Sequence, residues 1–383
     1  MLVRRKALSG AVLTLSVRRA AVPLVVVAAM LSLAGCGNSR RFAYAPHELK
    51  AEVASRVGTD RMGDILVPFQ PTPEMVERAL EYVESATSDS ARSDTLVRAI
   101  TDRRQFGLSY ERVATTVAPE TLANGHGNCL SMTSLYIGLA RAVGLTAYYV
   151  DASDRVNALL REDELIVDTG HIAATVHTVA GWSLVDFTGE ISNYRTFRVI
   201  DDLEALAHFY NNRGYETISV AQAADGKVPW ERALRDFEMS TQVLPGFARA
   251  ENNRGVAMSR LGNDDGAEGA YQAAVSSDGR FAAPRHNLGN IYLRRGDFEL
   301  ATRWYRRAIG LQGNNPFVHY HLGLAQYQSG DIAGSIASLE RAIALKHDYR
   351  EPRYLLARAY RTQGRTEDAE RVSLALQLMD GVS

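Results

Sequence analysis

Beyond about Ala205 the chain repeats itself with a fixed period, and no other feature restricts its fold as tightly. Gly255, Gly289 and Gly323 are followed by Ala357, each 34 residues after the last. Gly262, Gly296, Gly330 and Gly364 keep the same spacing, as do Ala267, Ala301, Ser335 and Ala369, and Ala274, Ala308 and Ala342. A period of this length marks a supersecondary unit that cannot bury its apolar face alone, so neighbouring units must stack into one continuous core. Small residues at recurring positions are where two backbones have to approach closely.

The period and its small residues resemble the tetratricopeptide repeat, a pair of helices with Gly at the turn between them. Four clear repeats run from about 248 to 382. An interrupted one precedes them, starting at Asn211-Asn212-Arg213-Gly214 and resuming at Trp230-Glu231-Arg232-Ala233-Leu234. The resemblance implies an all-α solenoid over 206–383, its concave wall lined by the first helix of each pair. On the repeat register that wall carries Asn252, His286, Asn290, Arg294, Tyr320, Tyr327, Tyr354, Arg358 and Arg361. Tyr and Arg are enriched among interface hot spots, so the expected partner is an extended protein or peptide segment, with acidic character suiting the arginines.

The first half reads differently. From Pro46 to about Glu120 the pattern is helical, with an apolar stripe at Val76, Leu80 and Val83. A Gly-rich loop then reaches Gly127-Asn128-Cys129-Leu130-Ser131 and runs into an apolar helical stretch through Leu135, Ile137, Leu139 and Val143. Tyr148-Tyr149-Val150 reads as a strand, and His171 to Phe187 as a hairpin. A thiol at a helix N-terminus meets the positive end of the macrodipole and unpaired N–H groups, which favour thiolate. An imidazole can take its proton, and a carboxylate can hold that imidazole in the useful tautomer.

The segment Asn124-Gly-His-Gly-Asn-Cys-Leu-Ser-Met-Thr-Ser-Leu, with Leu139-Ala-Arg-Ala-Val-Gly-Leu-Thr-Ala-Tyr after it, resembles the nucleophile helix of transglutaminase-like, papain-related proteins. The resemblance spans roughly 45–205. It implies a catalytic Cys129, His171 and Asp186 in an α+β domain over 47–205, with Trp182 where that superfamily keeps a Trp. His177 shares strand parity with His171 and is its rival as base. A two-residue turn at Ala180-Gly181 would set Thr175 opposite Asp186 and make His177 its diagonal neighbour. Asn124 and Asn128 are candidate oxyanion donors beside the Cys129 backbone N–H. The superfamily implies protease, peptidase, amidase or transglutaminase activity. A non-catalytic scaffold or adaptor, working through the repeats, is the alternative reading.

The N-terminus bears on location. Arg4, Arg5, Lys6, Arg18 and Arg19 precede an apolar stretch from Ala20 to Leu33, too short for a comfortable transmembrane helix. Leu33-Ala34-Gly35-Cys36 resembles the bacterial lipobox. That implies a signal peptide over 1–35, a lipid on Cys36, a polar tether over 36–46, and residence in the cell envelope. Gly37, where retained enteric lipoproteins carry Asp, implies the outer membrane, facing the periplasm. Buried acyl chains anchor at about 0.8 kcal/mol per CH₂. The chain has two cysteines. With Cys36 consumed as a thioether, Cys129 is left without a disulfide partner, a costly thing to keep in an oxidising compartment unless its chemistry is used.

Composition excludes other classes. The chain has 383 residues, 46% of them hydrophobic, which is enough for two cores. Lys+Arg 43 against Asp+Glu 44 leaves a net charge of −1 with no basic tract, which excludes a nucleic-acid reader. No metal-spaced His/Cys cluster or phosphate-cradling Gly loop is present in the sequence, so no metal or cofactor is expected. Replacing Cys36 with Ser should abolish acyl labelling and change processing; unchanged labelling would dismiss the lipid anchor.

Overall fold

The computed structural model describes residues 41–112, 114–152, 171–179, 181–188, 197–224 and 226–380. The expected signal peptide, Cys36 and the start of the tether lie outside them. Among the described residues no helix is long and apolar enough to cross a membrane. Two compact units emerge: 41–46, 68–152, 171–188 and 197–202 form one, and 47–67 with 203–380 the other.

Helix α1 (Pro46–Val57) opens the chain of elements. The first unit begins with α2 (Pro73–Val83), α3 (Asp89–Thr101), β1 (Ser109–Tyr110), α4 (Ala118–Asn124), β2 (His126–Gly127) and α5 (Cys129–Ala142). Strands β3 (Thr146–Asp151), β4 (Ile172–Thr178), β5 (Gly181–Val185) and β6 (Arg198–Ile200) complete it. Thr72 starts α2 by accepting the Met75 N–H at 3.3 Å, with Pro73 supplying a helical φ at no cost in hydrogen bonds. Its buried stripe is Met75, Ala79 and Val83, whereas Leu80 is 49% exposed. The stripe expected from the sequence shares only Val83 with it, because a short helix offers two apolar rows and tertiary packing chooses between them.

The sheet is antiparallel throughout, in the order β5-β4-β3-β6. Helix α5 packs on it and is buried on every side: each residue from Cys129 to Ala140 is buried. Tyr149 Oη on β3 donates to Ser134 Oγ at 3.0 Å, and Thr133 Oγ1 donates to the Ile172 carbonyl at the head of β4. A Cβ on Gly138 would collide with the Phe69 carbonyl oxygen, so only glycine lets the α5 backbone approach that closely.

In the second unit, α6 (Asp202–Ala223) and α7 (Trp230–Val243) lead into α8 (Ala248–Arg260), α9 (Asp264–Ser277), α10 (Ala283–Arg294) and α11 (Phe298–Leu311). Helices α12 (Pro316–Gln328), α13 (Ile332–Leu345), α14 (Glu351–Thr362) and α15 (Thr366–Asp380) follow. Gly255, Gly289 and Gly323 each lie against the second helix of their own pair. An added Cβ would meet Tyr271 at 2.6 Å, the ring of Tyr305, and Leu339 at 2.8 Å. Gly214 meets Phe237 in the same way at 2.5 Å, so α6 and α7 reproduce the crossing on a longer first helix. The second glycine series, at Gly262, Gly296, Gly330 and Gly364, ends each first helix with φ of 83°, 78°, 86° and 75°, the left-handed cap that L side chains resist.

Helix α1 belongs to this unit, not to the domain at 47–205 where the sequence puts it. Leu49, Val53 and Ala54 are buried. Arg56 donates to the Val243 carbonyl at 2.7 Å at the end of α7, and the Leu66 N–H to Tyr210 Oη at 3.0 Å. A twelve-residue helix with three buried apolar positions carries no label for which core it joins.

Gly289→Ala should destabilise the solenoid by about 1–3 kcal/mol, because the added methyl overlaps a fully buried ring. Gly310→Ala, at a helical site open to solvent, should be neutral or mildly stabilising. Thermal unfolding checks this pair; equal losses would mean that the close approach at Gly289 is not the cause.

Candidate active site

Cys129 is the first residue of α5, and the helix starts there because Asn128 caps it. Asn128 Oδ1 accepts the Ser131 N–H at 2.9 Å, while its Nδ2 donates to Thr115 Oγ1 at 2.6 Å. Ser131 Oγ in turn donates to the Ala114 carbonyl and accepts the Thr116 N–H, both at 2.8 Å. These bonds fasten the segment around 114–116 to the helix start. Asn128 is therefore committed on both ends of its amide to the cap, and Asn124 is exposed at the end of α4. The Cys129 N–H, as a first-turn amide, has no acceptor within its own helix.

The sheet register places the two imidazoles differently. Ala174 lies opposite Val185, Thr175 opposite Leu184, and His177 opposite Trp182. The hairpin thus turns one residue earlier than the Ala180-Gly181 turn considered above. Continuing the register sets Ala173 across from Asp186, so His171, not His177, is the diagonal neighbour. His171 Nε2 lies 3.2 Å from Asp186 Oδ1, and the same ring is hydrogen-bonded to Cys129. His177 is exposed, at the far end of β4, its ring 4.9 Å from that of Trp182. Six residues of strand separate it from His171, about 20 Å.

The electrostatics follow from that geometry. The His171 side chain is 15% exposed and that of Asp186 1%. Burial opposes charge on the imidazole, but hydrogen bonds to Asp186 and Cys129 and the attraction of their charges outweigh it, raising its pKa to about 10. Burial likewise opposes charge on Asp186, and the bonds from His171 and Thr188 overcome it, holding the carboxyl below its ordinary value. Thr188 binds both oxygens: its Oγ1 donates to Oδ2 at 2.5 Å and its N–H to Oδ1 at 3.2 Å. A raised His pKa stabilises the fold fully below pH 6.5, and that contribution disappears as pH rises through about 10. Thr188 and Thr115 were not anticipated from the sequence. The spacing Asp186-Phe187-Thr188, typical of local turns through short polar side chains, was the available signal for the first.

The expected solenoid wall divides. Asn252, His286 and Asn290 are 0%, 1% and 2% exposed and are not offered to a partner. Asn287 Nδ2 donates to Asn252 Oδ1 at 3.0 Å, Asn252 Nδ2 to Asn253 Oδ1 at 3.2 Å, and Asn253 Nδ2 to Asn211 Oδ1 at 2.8 Å. His286 Nε2 lies 2.8 Å from His321 Nδ1, and Asn290 Oδ1 accepts from Tyr305 Oη at 2.7 Å. These polar groups stitch one repeat to the next. Burial lowers the pKa of both histidines, His321 to about 4, so the pair is neutral. Arg294 is exposed but paired to Asp264 at 2.7 Å, and Tyr320 is half-buried against Tyr349. Tyr354 is 54% exposed, Arg358 stands over the Tyr327 ring at 5.4 Å, and Arg361 is exposed with a bond to Ser373. Repeat register gives the side of a helix a residue lies on; it does not give the depth of the groove there.

Family models match three segments: the transglutaminase-like superfamily at 77–187, a TPR repeat at 289–330 and a tetratricopeptide repeat at 320–376. Cys129, His171 and Asp186 all fall inside the first. No curated protein matches the chain. Among solved structures, a MamA RS-1 double mutant is similar at 14% identity and TM-score 0.41, over 46% of this chain and 95% of that one. MamA 41-end from Desulfovibrio magneticus RS-1 is similar at 15% and 0.41, over 46% and 96%. A further MamA crystal structure gives 18% and 0.39, over 42% and 93%.

Proposed function

We infer the function of a chain that joins a transglutaminase-like domain to tetratricopeptide repeats, a protein-interaction architecture. Cys129 is the nucleophile, His171 the general base and acid, and Asp186 the orienting carboxylate of an acyl transfer on an amide bond. The observation that carries this reading is the bridging imidazole: one ring, bonded to Asp186 through Nε2 and to Cys129.

The sequence of events follows from those positions. Cys129 Sγ attacks the amide carbonyl carbon, and negative charge gathers on the carbonyl oxygen near the Cys129 N–H. The His171 proton passes to the departing amine as the carbon–nitrogen bond breaks, leaving a thioester. Water, deprotonated by His171, then cleaves the thioester and regenerates the thiol. An amine in place of water would complete a transamidation. Hydrolysis is the simpler outcome, since water needs no second binding site, so the reading is a cysteine peptidase or amidase.

The repeats recruit the protein or peptide that carries the bond. Of the expected wall, Tyr327, Tyr354, Arg358 and Arg361 keep accessible surface, a set suited to an acidic segment. The lipid expected on Cys36 would hold this machinery at the membrane, on the periplasmic face of the outer membrane.

The test is alkylation of the full-length chain by iodoacetamide near neutral pH, followed by mass spectrometry at Cys129. His171→Ala should slow the wild-type rate by tenfold or more, an effect on the order of 1.4 kcal/mol. His177→Ala should leave it unchanged. Equal rates in wild type and His171→Ala would sink the enzyme reading and leave a scaffold that works through its repeats.

A further inference from the structure

We propose that Thr188 is a positioning residue for this site, locking the Asp186 carboxylate so that Oδ1 stays on His171. The inference rests on the reading above and adds the part that fixes its geometry. Asp186 lies one residue beyond β5, where the ladder that orients a strand residue has ended. A carboxylate there has a broad terminal torsion, and nothing in the strand fixes which oxygen faces the imidazole. Thr188 supplies what is missing. Its hydroxyl donates to Oδ2 at 2.5 Å, the short distance of a charge-assisted O–H···O⁻ bond, and its N–H donates to Oδ1 at 3.2 Å. Both bonds come from a residue two positions on, so the carboxylate and its clamp move together as one turn.

Two effects oppose each other. Donation to a carboxylate draws off negative charge and weakens its pull on the imidazolium. Fixing the carboxylate in the plane of the ring strengthens that pull. The strong bond falls on Oδ2, while the imidazole uses Oδ1. The charge-withdrawing effect therefore reaches the imidazole diluted, whereas the loss of orientation would be felt in full. With the desolvation of His171 opposing its charge, a loosened carboxylate leaves the imidazolium under-supported.

The experiment is NMR titration of the His171 ring in the full-length chain, comparing wild type with Thr188→Val and Thr188→Ser. Valine keeps the shape and the N–H but loses the hydroxyl; serine keeps the donor. The His171 midpoint should fall by about one pH unit in Thr188→Val, a tenfold loss of proton affinity, and stay at the wild-type value in Thr188→Ser. If Thr188→Val does not fold, Thr188→Ala takes its place with the same expectation. A valine variant that titrates as wild type, or higher, overturns the inference, as does a serine variant that falls with it. Failure of the functional reading looks different: His171 would respond to Thr188 as expected while Cys129 alkylation ignored His171.

Discussion

A helix buried on every side cannot slide or rotate without breaking contacts all round it, and α5 is such a helix. Its twelve consecutive buried residues pack against the sheet through Tyr149 and Ser134, against α3 through the 2.7 Å bond between Tyr136 and Ser93, and against the Phe69 backbone at Gly138. Interiors at crystal-like density transmit strain and do not absorb it. The start of α5 is thereby fixed, and Cys129 sits at that start. The sheet is fixed to the same helix by the bond from Thr133 to the carbonyl of Ile172, the residue next to His171. Cys129 and His171 thus belong to one packed body.

Within that body the site is a contest between desolvation and pairing. Burial alone would drive His171 neutral and Asp186 protonated. Each instead keeps its charge because the other is within hydrogen-bond reach, and Thr188 adds two further donors to the carboxylate. His286 and His321 show the opposite outcome in the same chain. They are more deeply buried, 1% and 6% exposed, with each other as hydrogen-bond partner and no carboxylate in that bond, and burial pushes both toward the neutral form. The contrast lies in the neighbours: a carboxylate for His171, a second imidazole for His286.

What the sequence disclosed depended on how local the cause was. The helix pairs were legible because close packing demands small residues at fixed intervals, and Gly255, Gly289 and Gly323 record that demand directly. The α5 start was legible from the Gly-rich loop that runs into an apolar stretch, whereas Asn128, read as an oxyanion candidate, caps the helix. Strand parity did not separate His171 from His177, and only the family resemblance favoured His171; a one-residue change in the hairpin turn decides which is the diagonal neighbour of Asp186. The wall positions Asn252, His286 and Asn290 were misjudged because they face the expected side but lie too deep to be reached. Helix α1 was misplaced for a related reason: Leu49, Val53 and Ala54 announce burial without naming the core.

The claim on which the account depends most is that one imidazole is shared between Asp186 and Cys129 and keeps its proton because of both. Titration of His171 by NMR in the wild-type chain, beside Cys129→Ala and Asp186→Asn, tests it directly. The account predicts a ring that stays protonated through neutrality and releases its proton near pH 10, with a lower midpoint in each variant. A wild-type midpoint near 6.5, unmoved by either substitution, would contradict it.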